Sequence, residues 1–306
     1  MARAGGDPGM AQAVAALGYA GGSGTIAYTG RDPRRSMRIV EEHARGVSLL
    51  QHGKPAEGLA HLARAVDADQ KAPVFRLDLG RALAATGRRA EAERELEEAL
   101  RLAPDLEQAW YHLGMLQAQD ERYDDALGSY GRSLELVPSA WPSRLGRAWV
   151  LVRTGRPAEA VDDLSRVVEL RPRERGVRLE QARLLRSLGR SREAIRAIEA
   201  AIALDESESG AKAWLAWELA TNADDAVRDG RRALELARAL VSSKPDDASM
   251  LEILAAALAE AGEAGEAARA QSEACRLAPA DLDPALLVEW RERAARYQRG
   301  ERHREP

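Results

Sequence analysis

The chain has 306 residues, a formal net charge of −4, one Phe and one Cys. That balance leaves no global positive excess to hold it on nucleic acid or anionic lipid, so neither is an expected partner. One cysteine cannot build an intramolecular disulfide framework, which fits a reducing compartment and makes the cytoplasm the default location over a periplasmic or secreted one.

No apolar run reaches the roughly 18 residues that a membrane span needs. A composition dominated by Ala, Leu, Arg and Glu is helical. In chain order, residues 1–38 come first. Met1–Met37 carries eight glycines and no helical period, and the span reads as a flexible arm or as the tail of a module cut from a longer chain. Met10–Ala20 (MAQAVAALGYA) is a faint signal-peptide candidate, with Asp7, Pro8 and Gly9 standing where a basic region belongs. Gly21–Thr25 (GGSGT) has no Lys and no strand-to-helix context, so it is not a phosphate loop.

From Ile39 onward the chain repeats. Windows 39–72, 73–106, 107–140, 141–174, 175–208, 209–247 and 248–281 are 34 residues long, with five extra in the middle of the sixth. A period in this range signals a stacked solenoid. The eighth position reads Gly46, Gly80, Gly114, Ala148, Ala182, Ala216, Ala255, and the twentieth reads Gly58, Ala92, Ala126, Ala160, Ala194, Ala233, Ala267. Antiparallel helices approach closely where facing side chains are small, so these positions mark the crossing of helix A on helix B in each unit. Gly53, Gly87, Gly155, Gly189 and Gly262, at the fifteenth position, end helix A. Pro104, Pro138, Pro172, Pro245 and Pro279, at the thirty-second, stop helix B. Apolar residues at the eleventh and twenty-eighth positions supply a core that no single hairpin could bury alone. Ala126 is therefore expected at a tight crossing, and Ser129 on an exposed face of the same helix.

The third unit, with Trp110, Leu113, Gly114, Ala126, Tyr130 and Pro138, resembles the tetratricopeptide repeat, and the resemblance extends over residues 39–279. Glu42, Arg144 and Arg178 stand in the first, fourth and fifth units where that family favours an aromatic residue. The resemblance implies an all-α, right-handed superhelical solenoid of about seven helix-turn-helix units, with a concave groove lined by A helices. After the repeats, Asp283 and Pro284 open a capping helix (282–298) as N-cap and first helical residue. Leu286, Leu287, Trp290, Ala294 and Tyr297 form its apolar face, and Arg291, Glu292, Arg293 and Arg296 a polar outer one. Residues 299–306 form a charged tail.

The family's groove positions are the second, fifth, ninth and twelfth of helix A. Carried over, they give Leu77 and Arg81, Gln108, Tyr111 and Met115, Leu145 and Trp149, Leu179, Arg183 and Arg186, and Trp217, with Ser249 and Glu252 further on. The implied partner is a protein or peptide with apolar anchors and an acidic or C-terminal carboxylate group, which Arg81, Arg183 and Arg186 would meet. Val47 replaces the Asn that the chaperone-binding subset uses, so a co-chaperone role is not expected. The plainer alternative is that Tyr111, Met115, Trp149 and Trp217 only pack neighbouring A helices.

Candidate chemistry is sparse. His43, His52 and His61 fall at positions of one hairpin that do not converge on an ion. Asp224, Asp225 and Asp229 lack the spacing of a calcium loop and read as capping or solvated residues, and Cys275 reads as a small core residue. No cofactor and no catalysis are expected. The chain reads as a non-catalytic interaction scaffold or, alternatively, as a recognition or regulatory module of a larger enzyme of glycosyltransferase or kinase type.

Overall fold

A computed structural model describes residues 33–304, and every regular element among them is a helix. The helices are α1 (Pro33–Gln51), α2 (Pro55–Ala68), α3 (Pro73–Ala85), α4 (Arg89–Leu102), α5 (Glu107–Gln119), α6 (Tyr123–Leu136), α7 (Trp141–Arg153), α8 (Pro157–Leu170), α9 (Arg175–Ser187), α10 (Ser191–Ile202), α11 (Ser209–Thr221), α12 (Gly230–Ser243), α13 (Ala248–Glu260), α14 (Ala264–Arg276) and α15 (Pro284–Gln298). Six of the seven windows open on the first residue of a helix A: Pro73, Glu107, Trp141, Arg175, Ser209 and Ala248. The first helix begins earlier, so residues 33–38 are helical although the repeat register leaves them in the arm. The rest of the arm, with Met10–Ala20 and Gly21–Thr25, lies outside the described residues.

Three residues separate helix A from helix B in every hairpin except α11–α12, where eight do. The five extra residues of the sixth window are thus confined to that loop. The glycines at the fifteenth position all take positive φ, from 70° at Gly189 to 89° at Gly262. In the third hairpin that place is held by Glu121, which adopts φ 58° despite its Cβ. The chain reversal demands the left-handed conformation whatever residue supplies it.

All fourteen residues at the eighth and twentieth positions are buried. The reason is most visible at the first crossing, where a Cβ on Gly58 would sit 2.8 Å from the carbonyl oxygen of Gly46. The third crossing is filled differently: Tyr130 is buried and its ring lies against Gly114, where a Cβ would meet it at 3.0 Å. The arginines at the aromatic position have a physical account too. Trp110 donates from Nε1 to the carbonyl of Pro104 at 2.9 Å, and Arg178 donates to the carbonyl of Pro172, also six residues earlier, at 3.0 Å. Arg76 does the same to Gln70 at 3.0 Å. A flat, long side chain with an N–H donor closes the preceding loop in either case.

The described chain divides into two compact units, the first ending at Ser143 and the second beginning at Arg144, within the first turn of α7. Leu62, Leu96, Ala99 and Leu116 centre the core of the first unit, and Leu185, Ile198, Leu215, Ala255 and Leu258 that of the second. Helix α15 is capped as the sequence implies, with Asp283 accepting from the backbone N–H of Ala285 at 2.8 Å, and it buries Trp290, Ala294 and Tyr297.

Two expectations about exposure fail. Ser129 is buried, 4% exposed, and donates to Gln117 Oε1 on the facing helix at 2.7 Å. Arg293 is not part of a polar outer surface of α15. It is buried and pairs with Glu252.

Candidate interaction faces

In the first unit the A-helix residues are largely engaged with one another. Leu77 is buried in the core and offers no surface. Arg81 donates to Asp78 Oδ1 at 2.7 Å, and the other oxygen of Asp78 lies 2.8 Å from His43 Nε2. Asp78 and His43 are buried while Arg81 is half-buried, so this carboxylate ties a buried imidazole to a cation that reaches towards the surface. Gln108 is exposed, while Tyr111 and Met115 are half-buried. The Tyr111 ring packs 4.8 Å from that of His112, and burial raises the pKa of its hydroxyl. His112 Nδ1 has no hydrogen-bond partner. Its pKa falls from the ordinary histidine value of 6.5 to about 4, first because burial disfavours the charged ring and then because of nearby Arg81.

In the second unit Trp149 stands out, 51% exposed, with Val152 41% exposed one turn on. Arg153 lies over the Trp149 ring at 5.8 Å to the centroid. Leu145 and Leu179 are half-buried. Arg183 is exposed and pairs with Glu180 three residues back at 2.7 Å, a solvent-screened contact of little strength. Arg186 reaches Glu218, a buried carboxylate that also accepts from Trp214 Nε1 at 2.9 Å and Asn222 Nδ2 at 3.0 Å. Trp217 is half-buried, with the Arg293 guanidinium 5.5 Å above its ring and the His303 ring 5.6 Å away.

The three arginines expected to meet a carboxylate therefore each have one within the chain: Asp78, Glu180 and Glu218 for Arg81, Arg183 and Arg186. Only Arg183 holds its partner in an exposed pair that a ligand could exchange at small cost. Sequence reasoning missed the buried acids themselves. Asp78, Glu218 and Asp163, which accepts from Arg147 Nη2 and Nε at 2.6 and 2.7 Å and from Arg144 at 3.2 Å, all sit at buried positions of their helices. An acidic residue at a buried helical phase signals such a pair, because it cannot stay there uncompensated.

The remaining candidates resolve into structural roles. His43, His52 and His61 bind different acceptors: Asp78, the Ser48 carbonyl and Glu42, at 2.8, 2.7 and 2.8 Å. Asp229 caps α12 through the Arg232 N–H at 3.0 Å, and Asp224 accepts from the Ala226 N–H at 3.0 Å. Cys275 packs on the cluster around Trp290, and burial raises its thiol pKa. Among the described residues no group of three or more His, Cys, Asp or Glu could hold a metal ion, and no helix is long and apolar enough to cross a membrane.

Comparison with known proteins agrees with this architecture. Tetratricopeptide repeat models match residues 49–119 in one case and 111–175, 179–226 and 222–281 in another. No curated protein matches in sequence. Among solved structures, YrrB, described as a TPR protein with an unusual peptide-binding site, is 20% identical over 62% of this chain and 95% of its own, with a TM-score of 0.52. MamA from Desulfovibrio magneticus RS-1 is 18% identical over 56% of this chain and 97% of its own, with a TM-score of 0.51. These likenesses are of fold. With the repeat models covering most of 49–281 and the helix boundaries falling on the 34-residue windows, the chain belongs to the tetratricopeptide repeat family.

Proposed function

We propose that this protein is a non-catalytic interaction scaffold whose A-helix face holds a peptide or a segment of a partner protein. The seven windows from 39 to 281 serve as its repeats and 282–298 as its cap. The observation that carries the reading is Trp149, a large aromatic side chain half exposed at the ninth position of a helix A, with Val152 exposed beside it. Aromatic and arginine anchors of this kind are favoured at interfaces, and the fold neighbour YrrB is itself described by a peptide-binding site.

The test is to select peptides from a random phage library on the intact chain and titrate them against wild type and two variants. Trp149→Ala should lose about 2 kcal/mol of binding, roughly 30-fold in Kd, as a buried aromatic hot spot does. Arg183→Glu should weaken the selected acidic peptides at low salt and progressively less at high salt, because added ions screen the charge it reverses. Selected peptides that bind both folded variants with wild-type affinity would move the site off this face.

A further inference from the structure

The C-terminal end of the chain supplies a ligand-like contact of its own. Helix α15 ends at Gln298, and Gly300 at φ +77° turns the backbone while the N–H of Glu301 closes on the Arg296 carbonyl at 3.0 Å. The residues that follow return to α11 and α13. Arg304 Nη2 lies 2.8 Å from Glu260 Oε2, and Arg302 Nη1 3.5 Å from its other oxygen. The His303 ring sits 5.6 Å from Trp217.

Glu260 is no ordinary surface acid. Its side chain is 9% exposed and it also accepts from Arg228 Nε, in the eight-residue loop, at 3.1 Å. About two turns of α13 nearer its start, Glu252 holds Arg293, whose guanidinium lies over Trp217. From the C-terminal segment Arg302 and Arg304 stand against Glu260 and His303 against Trp217, while Arg293 of α15 holds Glu252. Cations over an aromatic ring and paired with desolvated carboxylates are how arginine-rich segments are gripped.

We propose that this face, Trp217 with Glu260, is a docking site for an arginine-rich peptide, and that residues 299–304 occupy it in cis as a resident competitor. The proposal rests on the reading of the A-helix face as a binding surface. It reverses the charge that the sequence suggested for the ligand at this end of the chain. A short tether presents the tail at an effective concentration of about a millimolar, so a free peptide of the same kind gains access only when the tail's own contacts are weakened.

The experiment uses the full chain and, as probe, a fluorescein-labelled peptide of the tail sequence, RGERHREP. Fluorescence anisotropy is read for wild type, for the double variant Arg302→Ala/Arg304→Ala, and for that variant carrying Glu260→Gln. The double variant should bind the peptide at least tenfold more tightly than wild type, more weakly as salt rises, and should lose that gain with Glu260→Gln. No binding by the folded double variant, or equal binding by it and wild type, overturns the proposal. A second measurement covers the case in which the double variant does not fold. In the Glu260→Gln chain, tryptic cleavage after Arg302 should accelerate several-fold over wild type, and an unchanged rate overturns the docking. Neither readout involves Trp149, so failure here and failure of the proposed function are separately visible.

Discussion

Gly58 and Gly128 both lie inside helices, on α2 and α6 of the same unit, and the structure assigns opposite signs to the same change at the two places. Replacing a helical glycine by alanine gains about 0.8–1 kcal/mol from backbone entropy alone. Around Gly128 an added Cβ would meet nothing within 4 Å. Gly128→Ala should therefore realise most of that gain. At Gly58 the Cβ would stand 2.8 Å from the Gly46 carbonyl oxygen and 3.4 Å from Leu49 Cβ. Both obstacles belong to α1, and the first is backbone, which cannot rotate aside. The hairpin must open by several tenths of an ångström, and overpacking of this sort costs about 1–3 kcal/mol. Net of propensity, Gly58→Ala should destabilise by about 0–2 kcal/mol, leaving the two variants about 1–3 kcal/mol apart. Urea denaturation followed by circular dichroism reads the difference: the midpoint rises for Gly128→Ala and falls for Gly58→Ala at unchanged slope. If Gly58→Ala raises the midpoint as Gly128→Ala does, the twentieth position is not the tight crossing argued for here.

Three further outcomes follow from the same structure. Glu121→Gly should stabilise by about 1 kcal/mol, because it relieves a left-handed backbone at a residue with a Cβ; a drop in Tm would show that the Glu121 side chain contributes more than its backbone costs. Ala126→Trp should destabilise the third hairpin by about 3 kcal/mol or more, whereas Arg132→Trp, on the exposed side of α6, should change little; equal melting temperatures would refute the register. His112 gives a pH dependence: its folded pKa of about 4 lies below the ordinary histidine value of 6.5, so the unfolded chain binds the proton more readily. Its contribution is present above pH 6.5 and is lost as pH falls towards 4, in total about 3 kcal/mol. His112→Phe should flatten the stability profile across that window, and an unchanged slope would assign the acid sensitivity to other groups.

Much of this fold was legible because a repeat states its rules many times. Glycine at the fifteenth position means positive φ, proline at the thirty-second means a helix just ended, and Gly or Ala at the eighth and twentieth means close approach. Each rule is local or connects residues within one hairpin. In the sixth window eight residues separate the two helices, and the register resumes at Pro245 and Ala248. Composition gave the helical class, the spacing gave the hairpins, and the resemblance gave the solenoid; the start of the first helix, at Pro33, was not legible.

What the spacing could not decide was exposure and partnership, which depend on whatever the neighbouring hairpin puts opposite a residue. Ser129 faces Gln117 across its hairpin, and Leu77 is covered inside the first unit. Arg186 finds its carboxylate 32 residues away at Glu218, so a groove arginine that looked ready for a ligand already has a partner. The largest revision is at the C-terminal end, where the sequence showed a polar cap and a charged tail. There α15 and the turn at Gly300 carry Arg293, His303 and Arg304 onto Trp217, Glu252 and Glu260. A helical period can say which side chains share a face. Which opposite charge, dozens of residues away, lies against that face is set only when the chain has folded, because desolvation penalises every buried charge whose partner the tertiary structure does not deliver.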